Sequence, residues 1–259
     1  MKKTIGLSLI ALAVAGAGSA NATVIIFDGN NGGTAKAGTL ETGTGTTVGT
    51  DVRGDPLAFN DFTVLAGFST STNLADNSFN TSEINNSSDA YQDLTPAHGG
   101  LGAYSDSAND KFKSDTDNLE SNLITGSTGD EVLFFNFNTA VILEQVWFNG
   151  DHTENVAFTN NGGFDAGDTL FNIFFSTDGM NYQSVFGGSG QQAPINQEYL
   201  MTGLTSAYSM YAIAATGWNS APGGYIEAIR YASVPEPGTL ALLGLGLAGL
   251  GVAGRRKAA

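Results

Sequence analysis

Between its two ends the chain has no 12-residue window with a 3.6-residue apolar period, yet several segments alternate apolar and polar residues with a period of two. That alternation is the mark of a half-buried strand, whose successive side chains point to opposite faces of a sheet. Leu170 to Ser176 puts Phe171, Ile173 and Phe175 on one face. Thr177-Asp178-Gly179-Met180 then supplies a turn, and Tyr182 to Phe186 returns. Asp-Gly suits a tight hairpin because such turns need positive φ at their centre. Val24 to Phe27, Phe62 to Phe68, Val132 to Phe137, Val141 to Phe148, Tyr208 to Thr216 and Tyr225 to Tyr231 read as further strands. Strands at this spacing with glycine-rich connections imply a mostly β fold, an antiparallel β-sandwich or jelly roll.

Composition narrows the ways such a fold is held. The chain has 35 glycines and no cysteine, so disulfides, thiolate metal sites and thiol nucleophiles are excluded and the hydrophobic core must stabilise the fold. Five of the ten basic residues (Lys2, Lys3, Arg255, Arg256 and Lys257) lie at the ends. The body, residues 23–233, keeps 5 basic against 24 acidic side chains, a net charge of −19. A body this acidic repels phosphate backbones, which excludes nucleic acid as a partner. Residues 73–122 are rich in Ser, Asn, Asp and Thr, and read as long loops or a mobile insertion.

Both ends read as addresses. Lys2-Lys3, the apolar run Ile5 to Ala17 and Ser19-Ala20-Asn21-Ala22 form the cationic, apolar and small-residue parts of a secretory signal. Residues 1–22 are the expected signal peptide, with Ala20 and Ala22 as the small residues read by signal peptidase and cleavage after Ala22. The other end, residues 234–259, opens with Val234-Pro235-Glu236-Pro237. An uncharged stretch follows, with a transmembrane helix expected over 239–254, and then Arg255-Arg256-Lys257. The 17 residues from Gly238 to Gly254 make about 25 Å of helix, just enough to cross a bilayer. Basic residues stay on the cytoplasmic side, so the body is expected outside, held transiently at the inner membrane. Pro235 and Pro237 keep the preceding chain extended and accessible to a protease.

This tail resembles the PEP-CTERM sorting signal of exopolysaccharide-producing Gram-negative bacteria, also known as an ice-binding protein C-terminal domain. The resemblance rests on Val234, Pro235, Glu236, Pro237, Arg255 and Arg256. It implies export by the general secretory route, handling by an exosortase, and delivery to the cell surface or the extracellular space.

The second half of the body resembles the discoidin-like or galactose-binding-like jelly roll, through Val141 to Phe148, the hairpin Phe171 to Tyr182, and Gly224 to Tyr231. That resemblance implies a carbohydrate or cell-surface binding module, often with structural calcium. The cysteine pair of the coagulation-factor type is missing. Asp165-Ala166-Gly167-Asp168 gathers oxygen ligands in a loop, as calcium prefers, and makes Asp165 and Asp168 the candidate metal ligands; Asp115 and Asp117 form a second acidic cluster. Trp218, between Gly217 and Asn219, is the candidate sugar contact, whereas Trp147 reads as core.

Nucleophilic catalysis finds little support. Ser189 lacks the glycine spacing of a strand-to-helix elbow, and the two histidines, His98 and His152, read as loop residues. Thr42 to Thr46 alternates threonines, but a single strand offers too little surface for ice, and a polar edge strand is the simpler reading. The expected function is that of a non-enzymatic surface or matrix protein that associates with exopolysaccharide or serves structurally. The alternatives are a secreted polysaccharide-modifying enzyme and a surface layer protein without a specific ligand.

Overall fold

A computed structural model describes residues 22–27, 37–69, 74, 76–85, 88–94, 99–104, 119, 130–150, 170–188, 199–216 and 224–234. These residues form fifteen strands: β1 (Ala22–Ile26), β2 (Thr39–Leu40), β3 (Thr44–Val48), β4 (Asp51–Ala58), β5 (Phe62–Ser69), β6 (Ser78–Asn80), β7 (Ile84–Asn85), β8 (Asp89–Asp93), β9 (Gly100–Tyr104), β10 (Glu131–Gly150), β11 (Phe171–Ser176), β12 (Asn181–Ser184), β13 (Tyr199–Met201), β14 (Tyr208–Ala215) and β15 (Gly224–Ser233). A single 3-10 turn, Thr81–Glu83, interrupts them; Asn80 and Glu83 cap it reciprocally. Among the described residues no helix is long and apolar enough to cross a membrane. The expected signal peptide, apart from Ala22, and the expected transmembrane helix lie outside the described residues. Ala22–Ser233 form one compact unit.

β10 organises the fold. Sequence alternation divides it into two strands, but it is one strand of 20 residues that changes partners midway. Its first half lies between β5 and β14, with Phe134 opposite both Leu65 and Ala212. Its second half lies between β15 and β13, with Val146 opposite Ile229 and Leu200. The register with β14 slips between Asn136 and Val141, at exposed Asn138, Thr139 and Ala140. A slip of this kind bends a strand and increases its twist, which lets one strand take two sets of neighbours. The apolar pattern reports burial and is blind to the exchange of partners.

β4 makes the second crossing, pairing with β8 at Val52–Gly54 and with β5 at Leu57 and Ala58. Hydrogen-bonded neighbours therefore run from β10 through β15, β9, β8, β4 and β5 and back to β10, a closed circuit. β14, β11, β12 and β6 extend one side, and β1 with β2 the other. All these pairings are antiparallel except β1 with β2, which is parallel. The arrangement is consistent with the expected β-sandwich.

Inside lies the main core, with Phe27, Phe62, Phe135, Phe148, Ile213, Ile229 and Tyr231 all buried. Each such side chain contributes roughly 1.5–3 kcal/mol by leaving water. Trp147 is buried against Ile26, Ala228 and Tyr199, as its strand position predicts. A further cluster covers the outer face of the β10–β14–β11 sheet: Leu74, Phe79 and Ile84 pack on Val132, Phe134, Phe174, Tyr182, Ala212 and Ala214.

The reading of residues 73–122 as loops or an insertion is corrected for their described parts. These form β6 to β9, and Leu119 bridges to Gly224. Among the described polar residues there, Gln92 has a structural role. Buried Gln92 accepts from the Gly43 N–H at 2.7 Å and donates to the carbonyls of Phe27 and Glu41 at 3.0 and 2.8 Å. Satisfying backbone groups at a strand junction is as necessary as filling the core, and it takes a polar side chain.

Candidate binding groove

The layer over the outer face stops short, and beside it lies an open groove of about 500 Å³. Strand periodicity builds its floor. Leu133 and Phe135 point into the main core, so Phe134 and Asn136 point out; on β14, Tyr211 and Ile213 point in, so Met210 points out. Asn136 sits opposite Met210 in register. Leu65, Phe137, Ser209, Gly179, Tyr182 and Thr81 complete the lining.

Aromatic packing fixes the wall. The Tyr182 ring stacks on Phe79, with centroids 5.0 Å apart and planes 6° apart, and meets Phe134 edge-on at 5.3 Å. Burial pushes the Tyr182 hydroxyl up to about 12, aided by the negative charge of Asp178, so it stays neutral at ordinary pH. The hairpin that carries Tyr182 is held by Asp178. Its carboxylate accepts from the N–H groups of Met180 and Asn181, both at 2.8 Å, and from Asn181 Nδ2 at 2.8 Å. Those bonds, the Asn181 backbone first, hold its carboxyl well below the usual carboxylate range. Gly179 has φ +75°, as the Asp-Gly turn requires, and a Cβ there would lie 3.1 Å from Met210 Sδ.

Four polar groups in the lining make no hydrogen bond among the described residues: the Asn136 amide and the hydroxyls of Thr81, Ser209 and Tyr182. Among the described residues, no Asp, Glu, Lys, Arg or His lines the groove. Its chemistry is thus aromatic and aliphatic surface with uncharged donors and acceptors, and its volume falls within the usual range for small-ligand sites.

Sequence reading placed most of the lining residues on strands or at the hairpin turn but did not bring them together as a site. Asn136, Thr81 and Ser209 carry no motif, and only the pairing of β10 with β14 and the 3-10 turn beside them bring them together. The residues singled out from sequence, Trp218, Asp165 and Asp168, lie outside the described residues, as do Asp115, Asp117, His98, His152, Ser189 and Ala20. Ala22 opens β1, opposite Ala232, and Val234 follows β15 with 44% exposure. Thr44, Thr46 and Thr47 lie on β3, which is exposed throughout and pairs with β4.

Residues 233–257 match the family model of the PEP-CTERM protein-sorting motif. The match takes in Val234, Pro235, Glu236, Pro237, Arg255 and Arg256. No curated protein and no solved structure matches the chain. The sorting motif marks an exported protein, processed by an exosortase and directed to the cell surface or the extracellular space.

Proposed function

We propose that the body is a non-enzymatic module that associates with extracellular polysaccharide through the groove between the β11–β12 hairpin, β10 and β14. The supporting observation is the groove's lining. A sugar ring has apolar C–H faces and a rim of hydroxyls, and the groove offers aromatic surface beside four uncharged polar groups that make no hydrogen bond among the described residues. Tyr182 is the one titratable side chain among the described lining residues, and it is held neutral. A net charge of −19 on the body disfavours polyanionic glycans, leaving neutral exopolysaccharide as the matched class. On this reading Trp218 and a calcium ion at Asp165 and Asp168 are accessory to binding.

The test is a binding isotherm of the exported protein with the producing strain's purified exopolysaccharide, run with calcium and again with a chelator. Saturable binding is expected, weakened about tenfold by Asn136→Ala together with Ser209→Ala, since each lost uncharged hydrogen bond is worth about 0.5–1.5 kcal/mol. Equal binding by wild type and double variant removes the groove from the reading. Absence of saturable binding removes the glycan role. Loss with chelator alone assigns binding to the calcium loop.

A further inference from the structure

The sorting motif begins where the sheet ends, and β15 is held on both flanks up to its last residues. Ser233 pairs with Val141, Ala232 pairs with both Ile142 and Ala22, and Tyr231 pairs with both Leu143 and Thr23. The match to the sorting motif starts at residue 233, and Val234 alone separates Ser233 from Pro235. A processing enzyme that takes its substrate as an added strand needs the free N–H and C=O groups of several residues before the motif. Here those groups already serve the ladder, and the two prolines supply no N–H of their own.

We infer that processing of the tail requires the end of β15 to open, with Ala232 and Ser233 leaving the sheet and Tyr231 setting the limit of opening. The side chains grade in that order. Ser233 is exposed and Ala232 buries one methyl group. Tyr231 is buried, packs edge-on against Phe137 at 5.0 Å and Phe62 at 6.5 Å, and donates its hydroxyl proton to Asp61 Oδ2 at 2.7 Å. Releasing two small residues forfeits a few backbone hydrogen bonds, whereas releasing the third empties part of the core. Removal of the signal peptide after Ala22 would also take away Ala232's partner on the β1 flank, so the first cleavage eases the second. The chemistry of the step is unaffected: the scissile amide breaks, its acyl part passes to water or another nucleophile, and the tail leaves as an amine. This inference is independent of the groove.

When opening is fast relative to cleavage, the rate follows the population of the open form. The test uses the full-length chain in cells carrying its exosortase, with tail removal followed by pulse–chase. A six-residue Gly/Ser insertion between Ser233 and Val234 supplies free backbone and is expected to speed tail removal about tenfold. The pair Val141→Cys with Ser233→Cys, in a chain with no other cysteine, cross-links the last ladder pair. Oxidised chains are expected to keep their tails at least tenfold longer than the same chains after reduction. An unchanged rate on insertion, or equal rates for oxidised and reduced chains, overturns the inference.

Discussion

Two hairpins of this protein are built on the same plan and have opposite surroundings. The β11–β12 hairpin turns through Thr177 to Met180 and lays Phe174 and Tyr182 into a buried cluster, while the β3–β4 hairpin turns through Gly49 and Thr50 and leaves every residue of β3 exposed. Each turn has a glycine at positive φ, +75° at Gly179 and +66° at Gly49. The turn therefore decides where the chain reverses, and the surroundings decide how much the reversal stabilises. A hairpin in water is marginal by itself; the packed one has a second layer, and the exposed one leans on β4's other partners.

The comparison breaks most visibly at Tyr182. Tyr182→Ala removes a buried ring between Phe79 and Phe134 and should cost about 3–5 kcal/mol, read as a lowered denaturant midpoint at unchanged slope. A loss under 1 kcal/mol would show that the outer layer does not support the sheet. The glycine pair comes next. Gly179→Ala and Gly49→Ala both carry the strain of positive φ, roughly 1–2 kcal/mol. Only Gly179 adds a contact, with Met210 Sδ at 3.1 Å, whereas nothing lies within 4 Å of a Cβ at Gly49. Thermal unfolding should therefore place the Gly179 variant below the Gly49 variant; the reverse order would mean that Met210 yields freely.

A smaller effect separates the turns by pH. Asp178's carboxyl is held below the unfolded value of about 3.9, so its stabilisation is fully present above that value and is lost as pH falls through the depressed native one. Wild-type stability should exceed that of Asp178→Asn at pH 6, and the gap should narrow progressively as pH falls below about 4. A gap as large at pH 2 as at pH 6 would show that geometry rather than charge holds the turn. At the bottom of the scale stands Thr47→Ala on exposed β3, expected within about 0.5 kcal/mol of wild type by the same unfolding measurement.

The contrast also explains which parts of the fold could be read in advance. The β11–β12 hairpin was legible because Phe171, Ile173 and the Asp-Gly turn write burial and reversal into adjacent residues. β8 was not, because Gln92 is a buried polar residue whose bonding partners lie far off along the chain. β10 was legible as buried strand but not as one strand with two sets of neighbours, since Asn138-Thr139-Ala140 reads equally as a break or a bend. The groove was illegible for a related reason: Asn136 matters because Met210, Thr81 and Ser209 stand around it.

By itself the sequence determined the strands of the core, the hairpin turn and the sorting motif, because alternation, turn chemistry and the order of apolar, proline and basic residues are local properties of the chain. The tertiary structure alone decided the closed circuit of strands, the bridging role of Gln92, and the groove between β10, β14 and the β11–β12 hairpin. Those depend on which distant backbone each strand meets, and a hydrogen bond between residues dozens of positions apart leaves no periodic trace in either segment.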